Sequence, residues 1–197
     1  MKILQLTNQT QNSNEDIIVS LLSDSRSKTD FIEKSKRRFE DMNIEFYEPI
    51  RSILSHIGFS DSRKTAEGDV NCRMDVIIVD DTNSIPVEVK SPGEDKEINI
   101  KSIRQACENK VVLLSRRFHN TTLETTSLAI AFTYPPERSD VYELIRDIKV
   151  AYHFNIGIID MHDLLALVWD IKNGGKSLNY LYFNTFYGKF EYEKALT

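Results

Sequence analysis

Asp75 is followed, after twelve intervening residues, by Glu88 and then by Lys90, two acids and an amine at a spacing that suits chemistry on a phosphate ester. They sit in Met74-Asp75-Val76-Ile77-Ile78-Val79 and Ile85-Pro86-Val87-Glu88-Val89-Lys90, on either side of the polar Thr82-Asn83-Ser84. Two β-branched runs around a polar turn predict a hairpin. Side chains alternate along a strand, so Glu88 and Lys90 share one face while Val87 and Val89 take the other. Val76 to Val79 is uninterrupted apolar sequence, as expected of a strand covered on both faces. Charged groups leaving such a core are costly unless they pair or bind a cation. Carboxylate oxygens are the ligands that hard divalent cations take, and a lysine beside them can handle a water molecule.

The elements that must position this trio follow from periodicity and punctuation. The pattern predicts a helix over 46–57, strands over 74–80 and 85–91, a helix over 98–110, strands over 111–115 and 127–133, a helix over 138–152, a strand over 154–159 and a helix over 161–172. The first of these helices has Pro49 near its start and Gly58 at its end. Strands interleaved with helices describe an α/β chain with a mixed central sheet flanked by helices.

Asp-x12-Glu-x-Lys resembles the motif of the PD-(D/E)xK nuclease superfamily, with Met74 where that name has proline. The order of elements is similar to the superfamily core. Phe154 to Leu165, with Asn173-Gly174-Gly175 after it, resembles the end of a FokI-type cleavage domain. The resemblance spans roughly 45 to 192 and implies a restriction-endonuclease-like fold. It implies that Asp75, Glu88 and the Val89 carbonyl ligate Mg²⁺, with Mn²⁺ as a substitute, and that Lys90 positions the attacking water and helps deprotonate it. Glu48, near the start of the first helix, stands where many members place a further metal-site acid; as a first-turn acid it also complements the helix dipole. Gln105 stands where many members carry a glutamine facing the site. The products implied are a 5′-phosphate and a 3′-hydroxyl.

At 197 residues the chain suits one nuclease domain over 45–197, preceded by a polar/helical extension over 1–44, where an amphipathic patch at Ile17 to Leu22 suits a loosely held arm or small helix. No run is long and apolar enough to span a membrane, and no signal-peptide pattern opens the sequence. Cys72 and Cys107, at no metal-ligand spacing, suit unpaired thiols in a reducing cytoplasm. The net charge of −5 is unusual for a free-standing binder of double-stranded DNA, whose affinity comes from phosphate neutralisation. Arg63, Lys64, Arg116 and Arg117 flank strands of the expected site and are the candidate phosphate contacts; the Lys34 to Arg38 cluster reads as a solvated face. Asp160, beside His162 and Asp163, reads as a helix cap. The aromatic tail from Tyr180 to Tyr192 reads as core packing or a docking surface.

An acidic cleavage core with no base-reading module predicts that specificity comes from elsewhere. The expectation is the catalytic subunit of a heterodimeric type IIS restriction endonuclease, cutting one strand of double-stranded DNA while a larger partner recognises the site and cuts the other. The alternatives are a self-sufficient homodimeric nuclease of restriction or repair, and an inactive nuclease-like assembly module.

Overall fold

The apolar runs either side of Asn83-Ser84 pair as neighbouring strands, and the rest of the sheet grows outward from them. The computed structural model describes residues 17–42, 44–59, 62–64, 74–79, 83–115 and 120–197, with side chains left out at 44 and 62–64. A helix α1 over 17–24 precedes α2 (Lys28–Phe39), α3 (Tyr47–His56), β1 (Ser62–Lys64), β2 (Val76–Ile78), β3 (Ile85–Val89) and α4 (Ile100–Ser115). Then come β4 (Thr126–Ala131), α5 (Asp140–Tyr152), β5 (Asn155–Asp160), α6 (Met161–Lys172), α7 (Tyr180–Thr185) and the two-residue β6 (Gly188–Lys189).

The six strands lie in sequence order across one sheet. β1, β2 and β3 form an antiparallel meander. From β3 onward each strand is parallel to the next, through β4 and β5 to β6. Parallel neighbours need crossovers, and α4 and α5 supply them on one face, where Ile103, Ala106, Val141 and Ile145 pack on Ala129 and Ile156. On the opposite face Phe31 and Phe39 of α2, Ile50 and Ile53 of α3 and Leu164 of α6 close over Val87, Val89, Leu128 and Ile130. The expected α/β architecture, a mixed sheet flanked by helices, is therefore present. The segment the sequence reading set apart over 1–44 contributes α2 to this core.

One predicted element changes type. Val111-Val112-Leu113-Leu114 reads as a strand from its β-branched residues, but it forms the last turns of α4. Its burial follows a helical stripe: Lys110 and Leu113 are buried, Val112 and Leu114 half-buried, Val111 exposed. Leu113 packs on Met74 and Ile77 of the β2 region, so tertiary burial overrides local β propensity here. The reading also missed α2, β1, α7 and β6. The aromatic tail divides: Phe183, Phe186 and Phe190 enter the core, while Tyr180 and Tyr187 are exposed. α3 is stopped by Gly58 at φ 117°, where a Cβ would meet the Tyr180 hydroxyl.

Candidate carboxylate–lysine site

Strand alternation and register place the trio. Val76 pairs with Val87, which brings Asp75, just before β2, alongside Glu88. Glu88 pairs with Ala129, whose side chain belongs to the α4–α5 face, so Glu88 points toward α4 while Val87 and Val89 enter the opposite core. Asp75 Oδ2 accepts the Val89 backbone N–H at 2.8 Å, which ties the end of β2 to the middle of the motif. Lys90 Nζ lies 2.9 Å from Glu88 Oε1. Both side chains are nearly out of water, Glu88 at 2 % and Lys90 at 5 % exposure.

This packing strains the electrostatics. Burial and the neighbouring charge of Asp75 push the Glu88 carboxyl up to about 7, against the opposing influence of Lys90 and Asn109. A divalent cation at this place would favour the ionised form of Glu88, which burial and Asp75 disfavour. The donor set, two carboxylates beside a backbone carbonyl at Val89, is all hard oxygen and suits Mg²⁺ or Mn²⁺. Among the described residues no cluster of three or more His, Cys, Asp or Glu side chains is assembled for a metal. A magnesium site needs fewer, because the ion keeps several of its waters.

The structure brings Asp75, Glu88, Val89 and Lys90 together and distributes the other candidates differently. Glu48 is half-buried and turned to Arg51, whose Nη1 donates to its carboxylate oxygens at 3.1 and 3.2 Å. Its neighbour Tyr47 is the first-turn residue of α3 that feels the acids: burial, and then Asp75, Glu94 and Glu88, drive its hydroxyl pKa upward. Gln105 lies half-buried on α4, and its Oε1 is buried without a hydrogen-bond partner among the described residues. Arg63 and Lys64 are in β1 with side chains outside the described set, and Arg116 and Arg117 lie outside the described residues.

Asn109 was not anticipated. It is 2 % exposed on α4, and its Nδ2 donates to Glu88 Oε2 at 3.1 Å. A signal existed: Ile103, Ala106, Asn109 and Leu113 share the buried stripe of α4, and an amide on an apolar stripe marks a polar partner below it.

Comparison with protein-family models, with curated proteins and with solved structures finds no match to this chain.

A second group of acids stands at the end of β5 and the start of α6, where burial raises the Asp160 carboxyl. Asp160 Oδ1 accepts the Asp163 backbone N–H at 2.9 Å and so caps α6, as its place in the sequence predicts. Asp163 Oδ2 accepts the Tyr134 hydroxyl at 2.6 Å. Farther along α4, the fully buried Lys110 donates to the Thr125 carbonyl at 2.5 Å and to Thr121 Oγ1 at 3.2 Å, anchoring the loop before β4. Burial pushes its ammonium down to about 7. Cys107 is a free, half-buried thiol whose pKa burial raises. Among the described residues no helix is long and apolar enough to cross a membrane.

Proposed function

We propose that this chain is a restriction-endonuclease-like, Mg²⁺-dependent DNA endonuclease that hydrolyses one strand of duplex DNA. In this reading it is the cleavage subunit of a type IIS restriction system, and a larger partner supplies sequence recognition. The observation that carries the reading is the convergence of Asp75, Glu88 and Lys90, with Asp75 on the Val89 amide at 2.8 Å and Lys90 on Glu88 at 2.9 Å. Its setting supports it further, since the trio lies where an antiparallel meander gives way to a parallel crossover. Fold alone would not point to chemistry; the carboxylate pair, with Glu88 buried and raised, supports it.

A divalent cation, when held by Asp75, Glu88 and the Val89 carbonyl, supplies positive charge against the phosphodiester and acidifies water. Asn109 fixes Glu88 through Oε2, leaving Oε1, on which Lys90 rests, to the space shared with Asp75. Lys90 reaches that space from two residues along β3, orients the attacking water and takes part in moving its proton. The walls made by β2, β3 and α4 exclude solvent from Glu88 and Lys90, which strengthens each of these contacts.

The partner enters on charge. With a net charge of −5, the chain lacks the excess of basic residues that self-sufficient duplex binding uses, and one carboxylate–lysine site cuts one strand per encounter. The test is relaxation of supercoiled plasmid by the purified chain with Mg²⁺ or Mn²⁺, beside Asp75→Ala and Lys90→Ala proteins of verified fold. Metal-dependent nicking that disappears in both variants is the expected result. Nicking that persists in both variants contradicts the site, and sequence-specific double-strand breaks by the isolated chain contradict the partnered reading.

A further inference from the structure

Gln105 carries a buried acceptor with no donor among the described residues, one helical turn from the amide that holds Glu88. A buried unsatisfied oxygen is uncommon in a folded protein, and one beside a reactive site asks what fills it during function. The geometry of β3 and α4 supplies the answer. α4 links β3 to its parallel neighbour β4 and therefore runs antiparallel to both. Two residues along a strand cover about 6.6 Å, and four along a helix cover about 6 Å. With Asn109 seated over Glu88, Gln105 falls over Lys90.

We propose that Gln105 is the second seat of Lys90: the ammonium rests on Glu88 Oε1 when no cation is bound and transfers to Gln105 Oε1 when a divalent cation takes Glu88. The exchange follows from charge. Asn109 is neutral and can stay on Oε2 whatever occupies the other oxygen, but an ammonium 2.9 Å from Oε1 opposes a divalent cation at the same atom. Lys90 is 5 % exposed, so a displaced ammonium with no protein acceptor would be left buried and unsatisfied. Gln105 is thus a positioning residue, acting on the reaction through Lys90. This rests on the reading of Glu88 as a cation ligand.

The experiment is calorimetric titration of the whole chain with Mn²⁺ alone, without DNA, in four proteins: wild type, Gln105→Met, Lys90→Met and the double variant. Methionine keeps the volume of Gln105 and removes its acceptor, so metal-free Gln105→Met should melt no lower than wild type. The expected result is a Kd for Mn²⁺ weakened about fivefold by Gln105→Met in the wild-type background, one hydrogen bond's worth. In the Lys90→Met background the same change should leave Kd within about twofold, because no ammonium needs reseating. Equal weakening in both backgrounds, or none in the wild-type background, overturns the second seat while leaving the cation site standing. A wild-type protein that takes up no Mn²⁺ overturns the cation site itself.

Discussion

Two groups of acids stand near strand ends, both with donors from the fold, and they differ in the charges gathered around them. At the end of β5 and the start of α6, Asp160 caps α6 and Asp163 accepts the Tyr134 hydroxyl, while burial raises the Asp160 carboxyl. At β2 and β3, Asp75 and Glu88 press together over a single lysine, and Glu88 is driven up to about 7. A buried, raised carboxyl beside a second acid is therefore common to both groups. What distinguishes the β2–β3 group is a buried ammonium, that of Lys90, seated 2.9 Å from the raised carboxylate of Glu88.

The widest separation between the two groups is expected in catalysis. Asp75→Ala, Glu88→Ala and Lys90→Ala should each lower the initial rate of plasmid nicking by roughly 10³-fold, within the range such groups contribute. Asp163→Ala, measured in the same assay, should nick at the wild-type rate. Equal losses at both groups would erase the distinction.

Next in size is the pH dependence of metal-free stability, where Glu88 and the fully buried Lys110 act with opposite sign. Glu88 titrates at about 7 in the fold against 4.5 for an ordinary glutamate, so the folded state holds the extra proton between those values and stability falls as pH rises through that window. A shift of that size corresponds to on the order of 3 kcal/mol. Lys110 titrates at about 7 in the fold against 10.5, so the unfolded state holds the extra proton above 7 and stability rises with pH toward 10.5. Urea midpoints in EDTA at pH 5, 7 and 9 should pass through a minimum near neutrality. Glu88→Gln should flatten the acid limb and Lys110→Met the alkaline one; a variant that leaves its limb unchanged refutes the assignment.

Smaller still is the effect of Asn109→Leu, which leaves Glu88 Oε2 without its donor and should cost about 1–3 kcal/mol in urea unfolding at pH 8. The smallest is Asp160→Ala, expected to remove about 1 kcal/mol as a lost helix cap, with nicking unchanged. A larger loss from Asp160 than from Asn109 would reverse the ranking of the two groups.

What could be read from the sequence depended on the range of the interactions. Asp75, Glu88 and Lys90 were legible because strand alternation is a two-residue rule and the hairpin that joins them is local. The capping role of Asp160 was legible for the same reason, three residues from the amide it accepts. Asn109 was not, since its partner lies 21 residues away and only the path of α4 across β3 brings them together. On α3, Tyr47 and Glu48 differ by one residue, about 100° of helix rotation. How each is turned is set by how α3 lies in the core, where Tyr47 feels the charge of Asp75 and Glu88 and Glu48 pairs with Arg51. Val111 to Leu114 misled because β-branched side chains fit a helix whose buried stripe is filled by Lys110 and Leu113. α2 was missed because its apolar residues, Phe31, Ile32 and Phe39, are sparse within a basic, polar segment.

The most direct test of the raised carboxylate and the cation site is to follow the Glu88 side-chain carboxyl by carbon-13 NMR across pH, with and without Mg²⁺. Without metal the midpoint is expected at about 7, and with saturating Mg²⁺ the group should be fully ionised at pH 6. A midpoint at the ordinary 4.5 that Mg²⁺ does not move would mean that β3 carries a balanced ion pair and no cation site.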